Sequence, residues 1–512
     1  MLFPSSDSAL VLVSDKVVLV KVNAITTQPS EAKPSGSVRV ETSSGQLVQT
    51  LALTAPTDAL PAAAPVVPSF ANAYTAVVPA NLVKAGLRLT ASLANGQAPT
   101  TINPRVGGGV AMTFVAVPIQ IAGTVGQVVA QPDPYLQVRM PVSSVTLQTH
   151  APYVPKGVTT LPTTETAWST AFSKVLGELD DLHMLEQAPA QSHYYGFMPK
   201  RTFGLVGLGY VPGNAALGFD LPTNPVAVRK TLTHELGHNL SLPHAPCGGP
   251  ADADPQYPYA NAQLGAAGRF IWGYNAQTQT FVDPRRTDIH DIMSYCDGDT
   301  FSDYNYRRMQ VYLTPADKLA QPASAAVAAG PQELLLVSGQ IEAGKVELTP
   351  LKALYGEARP PQDGPYTLRI VTAKGSVEYR FALKQVDHVA TAQRFGFTIP
   401  HPGAIYSIAI VKDGATLMQT EAKPAGMAQA QSAASAKPQV QATEQSGMLR
   451  LSWDHAKYPY LTVTHLGTQR ATLAQDLEGG SAALPMAALP AGGSFEFSLS
   501  DGMNSVRVNR NR

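Results

Sequence analysis

The stretch THELGHNLSLPHAPC, Thr233 to Cys247, holds three of the chain's 11 histidines. His234 and His238 are four positions apart, so on a helix they share one face with about 6 Å between them. At that separation two imidazole nitrogens can each reach a single zinc ion at about 2.0–2.1 Å. Glu235 is rotated from His234 by about 100°, which carries its carboxylate off the ligand face and toward the open side of a metal. His244 would add a third neutral imidazole and leave a fourth position for water. Three protein ligands and a water form the layout of a catalytic zinc site, whereas a structural site is closed by four. A metal-activated water beside a carboxylate base is the chemistry of hydrolysis. By chance, the three histidines at this spacing with Glu235 would arise in roughly 1 chain in 10⁴.

These side chains need a helix that starts and stops in particular places. Asn224 is a good N-cap and Pro225 fits the first helical position. Val226, Leu232, Leu236 and Leu240 supply an apolar face. A straight helix would carry His244 about a turn and a half beyond His238, away from the metal. The chain must therefore turn near Ser241, and Pro243 helps to end the helix.

HELGHNLSLPH resembles the zinc signature of the metzincin proteases, H-E-x-x-H-x-x-G-x-x-H. The family places a Met-bearing tight turn beneath the metal, and DIMSYC, Asp291 to Cys296, is similar to it, with Met293 under the site. Tyr295 lies where some metzincins hold a tyrosine that binds zinc or steadies the reaction intermediate; packing on the zinc loop is the other reading. One position departs from the pattern: Ser241 stands where the family has Gly, at a turn that favours φ > 0, and a non-Gly residue there costs about 1 kcal/mol or somewhat more. YYGFMP, GLVGLGYVPGNAALGFD, HAPCGG, FIWGY and SDYNY narrow the resemblance to secreted bacterial metzincins of the StcE-like, mucin-directed group, with glycan-targeting adamalysin-like proteases as relatives. The specific motifs cover roughly residues 110–320.

The resemblance implies further roles. One catalytic Zn²⁺ would be bound by His234, His238 and His244, with Glu235 as general base. The strand before the zinc helix, Leu208, Gly209, Tyr210 and Val211, would be the rim that pairs with substrate backbone by strand addition. Trp272 and Tyr274, on an expected hairpin between the zinc helix and the Met-turn, either stack on sugar rings or pack the subdomain. If both motifs converge on one zinc, the chain's 2 cysteines, Cys247 and Cys296, come close enough for a disulfide. Two buried thiols or a thiolate on zinc are the alternatives.

The whole chain sets bounds on this reading. Its 512 residues suggest three or four domains. Lys+Arg and Asp+Glu are both 37, giving a net charge of zero and no electrostatic case for nucleic acid or an anionic membrane. No apolar run reaches the 18 or so residues of a membrane span. MLFPSSDSAL lacks a basic and then apolar leader, which leaves either a cytosolic protein or a processed chain with a start Met added. The Thr, Ser, Ala, Gln and Pro-rich composition and the family resemblance favour the second, a secreted chain whose signal peptide has been removed. A monomer is expected.

The fold expected is multidomain: an α+β metzincin-like zinc protease domain flanked by all-β immunoglobulin-like sandwich domains. Residues 1–106 read as an N-terminal β-sandwich, from alternating apolar runs punctuated by Pro and Gly. Residues 110–322 read as the catalytic domain. Within it, Trp168, Phe172, Val175, Leu176, Leu179 and Leu182 recur at helical spacing and mark a backing helix over Ala167–Glu186. HYYGFMP and FGLVGLGYV read as strands, and SDYNYRRMQVYL as a closing helix. Residues 331–422 read as a β-rich domain, 423–446 as a flexible linker without a core, and 447–512 as a small β domain with Trp453 inside. The flanking modules serve as spacers or dock carbohydrate.

The functional expectation is a secreted zinc endopeptidase acting on O-glycosylated, mucin-type proteins. Two alternatives stand beside it: a glycan-binding adhesin with an inactive protease module, and a general secreted endopeptidase indifferent to glycans.

Overall fold

The computed structural model describes residues 1–27, 32–199, 204–313, 330–422, 438–486 and 488–512. It is mostly β, with four α-helices among the described residues. None of these is long and apolar enough to cross a membrane. The chain divides into two units: Met1–Met112, Gln131–Thr146 and Leu242–Lys318 form one, and Thr113–Ala130, Leu147–Ser241 and Leu319–Arg512 form the other.

The larger unit is organised by one sheet. In chain order its elements are β1 (Ala111–Pro118), β2 (Ser144–Thr149), helix α1 (Glu165–Leu185), β3 (Ser192–Met198), β4 (Gly207–Val211), β5 (Ala215–Phe219), helix α2 (Pro225–Asn239), β6 (Gln332–Glu342), β7 (Lys345–Leu348), β8 (Lys352–Gly356), β9 (Lys384–Val386) and β10 (Val389–Pro400). The strands lie in the order β2-β1-β3-β5-β4-β9-β10-β6-β7, with β8 paired to β6. β1, β3 and β5 run parallel, and β4 runs antiparallel to β5. β3 is buried at every position and so is β5, as expected of strands covered on both faces.

Helix α1 has the expected backing role. Thr164 caps it by accepting from Ala167 N. Trp168, Phe172, Val175, Leu176, Leu179 and Leu182 are all buried, and Phe172 meets Phe219 of β5 edge-on at 4.6 Å between centroids. The other side of α1 carries buried charge. Asp180 is paired with Lys384, and Asp181 with Arg394, at 2.6 and 2.9 Å. Lys352, itself buried, reaches Asp476 at 3.0 Å and Asp181 at 3.6 Å. These pairs tie α1 to the β-rich segment that follows. Each would be costly to break one-sidedly, because the remaining charge would stay buried.

Two further cores fill this unit. One joins Leu335, Val337, Phe381, Phe395, Phe397 and Ile410. The other joins Val440, Leu449, Trp453, Val463 and Phe497, so Trp453 is interior as expected. The segment expected as a flexible linker, 423–446, contains a strand near its end. Residues 423–437 of it lie outside the described residues, but Val440–Gln445 forms a strand paired with Met448–Trp453. The sequence VQATEQ alternates, and Val440 and Ala442 face inward; six residues of period two suffice when a partner strand follows at once.

The smaller unit contains a four-stranded sheet built from Gly36–Glu41, Leu47–Leu53, Arg88–Leu93 and Thr100–Ile102, and a separate pair, Val18–Val22 with Tyr74–Val78. Val38, Val40, Tyr74, Val78 and Leu89 form its core. It also carries the hairpin Gly273–Asn275 with Thr280–Val282 and the helix Asp303–Leu313.

Candidate metal centre

Helix α2 begins and ends where the sequence marks it. The Asn224 side chain accepts from Ala227 N at 3.1 Å, and Pro225 opens the helix. Leu232, Leu236 and Leu240 are fully buried. Val226 is not part of that face: it is 50% exposed, and Val228 is buried in its place. At the other end Asn239 donates to Tyr210 O and Ala215 O, which pins the helix to β4 and β5. Ser241 then takes φ +72°, and its N–H donates to His238 O at 2.9 Å. The chain thus adopts the left-handed turn expected there without Gly.

His234 Nε2 and His238 Nε2 stand 3.1 Å apart, with ring centroids at 4.8 Å. Two nitrogens on one tetrahedral zinc at about 2.0–2.1 Å would be about 3.3 Å apart, so the pair fits a shared ion. A third donor comes from far along the chain. Asp387, in the turn between β9 and β10, has no exposed side-chain surface and places Oδ2 at 3.1 Å from His238 Nε2. The same oxygen is 2.8 Å from His388 Nε2. The candidate ligand atoms of His234, His238 and Asp387 all lie within 4.8 Å of one another.

Glu235 is 2% exposed, and its Oε2 has no hydrogen-bond partner among the described residues. A buried carboxylate oxygen left open is costly unless it serves something. β4 passes close above it: a Cβ at Gly207 would collide with Glu235 Oε1, and one at Gly209 would sit 3.2 Å from Oε2. Burial, and then the Asp387 carboxylate, push the proton affinity of Glu235 well above the usual carboxylate range.

β4 contains Leu208, Gly209, Tyr210 and Val211, the rim expected to be open to substrate. Its outer side is paired. β9 runs antiparallel to it with Tyr210 opposite Val386 and Val211 opposite Gln385, and Asp387 N donates to Gly209 O at 3.0 Å.

The smaller unit carries the remaining candidates. His244 is fully buried and its Nδ1 is 2.6 Å from Asp252 Oδ1; such a partner fixes ring orientation and leaves Nε2 for other chemistry. Tyr295, 41% exposed, brings its hydroxyl to 3.1 Å from His244 Nε2. Met293 is fully buried in a turn organised by Asp291, whose Oδ1 accepts from Met293 N and whose Oδ2 accepts from Ser302 N. Ala245 N donates to Met293 O and Tyr295 N to Cys247 O, so the segment after His244 is laced to the Met-bearing turn. The disulfide Cys247–Cys296 closes the same junction. Gly248, at φ +82°, lies against Tyr295, where a Cβ would meet that residue's own Cβ at 2.5 Å.

Trp272 and Tyr274 sit at the expected hairpin and are half-buried. Tyr274 packs on Phe281 and Phe70 at 5.4 and 6.3 Å, and Arg285 lies over Trp272. Both line a cavity of about 980 Å³ together with residues of the first strands. Sequence reading missed Asp387, Asp252 and Asn239. His244-x₇-Asp252 has no motif to announce it, and QVDHVA sits in a strand-rich segment with no metal-ligand spacing.

Residues 207–313 match the peptidase M66 family, a span that includes α2, His244 and the Met-bearing turn. The chain is also similar to a Dictomallein-like protein of Hahella chejuensis (strain KCTC 2396), with 25% identity over 289 residues, covering 50% of this chain and 43% of that protein. It therefore spans less than half the length of that relative. Among solved structures it is similar to a two-domain fibronectin type III segment from chicken tenascin, at 14% identity and a TM-score of 0.13, covering 36% of this chain and 100% of that one; that score carries no fold assignment. The M66 match supports a metallopeptidase module in this chain.

Proposed function

We propose that the chain is a secreted zinc endopeptidase of metzincin type, in which His234, His238 and His244 hold one ion and Glu235 is the general base. The observation that carries this reading is the His234–His238 nitrogen pair at 3.1 Å beside the buried, unpartnered Glu235 Oε2. Within the larger unit, His234, His238 and Asp387 offer ligand atoms that could share a metal ion, and the M66 match over residues 207–313 supports the same chemistry.

When bound, zinc supplies a Lewis acid that lowers the pKa of water and polarises a carbonyl. The protein residues do the rest. Glu235 accepts the proton of the attacking water at Oε2 and returns it to the leaving nitrogen. Asp252 orients His244 through Nδ1. The Tyr295 hydroxyl donates to the developing oxyanion. Met293 and the Cys247–Cys296 bridge hold the loop that carries Tyr295.

The substrates we infer are O-glycosylated proteins, on the strength of the motif resemblance to the StcE-like group. Trp272 and Tyr274 are the candidate sugar-stacking residues. The flanking β modules, 1–106, 331–422 and 447–512, are read as immunoglobulin-like sandwiches around a catalytic domain at 110–322. Metal analysis and digestion test the reading together. One zinc per folded chain is expected, and Glu235→Ala should keep it while turnover falls at least 10³-fold. Cleavage of a mucin-type protein should slow at least tenfold after its O-glycans are removed. Equal rates on both forms would leave a general endopeptidase. A folded chain without zinc affinity would sink the enzyme reading and favour a binding module.

A further inference from the structure

Two features of the larger unit have no place in the mechanism above. The rim strand β4 is already paired, and a fourth donor stands beside two of the metal-binding histidines. Both come from the same hairpin. β9 contributes Gln385 and Val386 opposite Val211 and Tyr210. The next residue, Asp387, donates its N–H to Gly209 O and aims its carboxylate at His238.

We propose that the segment Lys384–His388 is a built-in occupant of the substrate site: β9 takes the antiparallel backbone pairing that an extended peptide would take on β4, and Asp387 supplies the fourth metal ligand in the place of water. The inference rests on the zinc-peptidase reading and deepens it, since it makes the form described here the resting form of that site.

Three observations set this segment apart from ordinary sheet. First, its pairing with β4 is brief, limited to Tyr210–Val386 and Val211–Gln385 and the Asp387 N–H. Second, its pairing with β10 slips in register between Gln385 and Val386; a bulge there weakens the ladder and bends the strand. Third, the turn is held at His388 with φ +60°, a conformation that disfavours residues with a Cβ. The rest of the hairpin is anchored firmly. Lys384 and Arg394, opposite one another on β9 and β10, are paired with the buried Asp180 and Asp181. The part that would have to move, 385–388, is therefore short, irregular and flanked by a fixed base.

Asp387 is also chemically suited to the role. It is a hard oxygen donor, 0% exposed, with His238 and His388 within 3.1 Å of one oxygen. A carboxylate buried this deeply is stable only with cations or donors around it. A zinc ion shared with His234 and His238 would satisfy it. A substrate strand arriving on β4 would have to displace β9 and, with it, the ligand that excludes water. Binding of the right peptide and opening of the metal would then be one event.

The test compares the wild-type chain with Asp387→Ala and Asp387→Asn, each loaded with zinc or with cobalt. Wild-type zinc should resist removal by dipicolinate at least tenfold better than the zinc of Asp387→Ala. Azide should bind the cobalt form of Asp387→Ala at least tenfold more tightly and change its visible absorption, because a position has opened. Peptide cleavage by Asp387→Ala should rise at least tenfold in kcat/KM. Hydrogen exchange on the wild-type zinc form covers the case in which the variants fail to fold: adding a peptide hydroxamate should deprotect residues 385–388 while residues 207–211 stay protected. Identical cobalt spectra and chelator resistance in all three proteins would overturn the proposal and leave the zinc peptidase intact. So would turnover that falls in zinc-loaded Asp387→Ala, or residues 385–388 that remain protected with hydroxamate bound. A wild-type chain that takes up no metal would remove the underlying reading and this one with it.

Discussion

Ser241 shows how much a single position can be read in advance. Its φ of +72° is the left-handed turn for which the metzincin pattern uses Gly. The residue tolerates it because its N–H still finds His238 O at 2.9 Å, so the strain is steric and not a lost hydrogen bond. Ser241→Gly relieves that strain but gives the unfolded chain more freedom. The expected outcome is unchanged turnover and a stability change within about 1 kcal/mol of zero or slightly favourable, measured by denaturant unfolding. A loss above about 2 kcal/mol would reveal a side-chain contact essential to the turn. Glu235, His234 and His238 were legible for a related reason. The roles proposed for them depend on spacing within one helix, and spacing is visible in sequence. Asp387 was not, because its place depends on a strand pairing that joins Tyr210 to Val386 across 176 positions.

Among elements, the segment from His244 to Cys247 and the turn at Asp291–Cys296 behave as one unit. Backbone bonds join Ala245 to Met293 and Tyr295 to Cys247, and the disulfide joins their ends at a sequence separation of 49. Closing a loop of this length removes unfolded-state entropy worth about 4 kcal/mol in the chain-entropy model. Cys247→Ala with Cys296→Ala should therefore lower stability by roughly 2–4 kcal/mol, seen as an earlier unfolding transition that reductant no longer shifts. A double variant as stable as the oxidised wild type would show that the hydrogen bonds alone hold the junction. The helices were readable from their caps and apolar period, and α2 ran from Asn224 to its turn as expected. The exposed Val226 and the strand Val440–Gln445 inside an expected linker mark the limit. Burial of one apolar residue depends on what passes over it, and a Gln-, Ala- and Ser-rich segment reads as coreless until a partner strand is known.

At the scale of the whole chain, burial of titratable groups makes stability depend on pH. His183, at the end of α1, is 3% exposed, with Arg359 Nη1 at 3.3 Å from Nδ1 and Pro189 O at 3.2 Å from Nε2. Burial, then the Arg359 charge, lower its pKa from 6.5 to about 3. The folded state holds it neutral while the unfolded chain protonates it below about 6.5. Its contribution is complete above that pH and is lost as pH falls toward 3, amounting to about 2 kcal/mol at pH 5. Glu178, pushed up to about 7 by burial, acts in the opposite direction between 4.5 and 7, so the two must be separated by substitution. Unfolding of wild type and His183→Gln at pH 7.5 and pH 5 separates them. The variant should lose less stability on acidification, and equal losses would show that the imidazole is solvated.

Composition, zero net charge and the HELGHNLSLPH and DIMSYC motifs determined a metal-hydrolysis reading, the two helices around it and a β-rich remainder. All of these follow from local spacing, which the chain carries along its length. Only the tertiary structure decided that β4 pairs with β9, that Asp387 stands against His238, and that Asp180 and Asp181 anchor the hairpin that brings it there. Strand pairing between distant segments is chosen by how a whole core closes and by which buried charges must be matched. No window of neighbouring residues contains that choice.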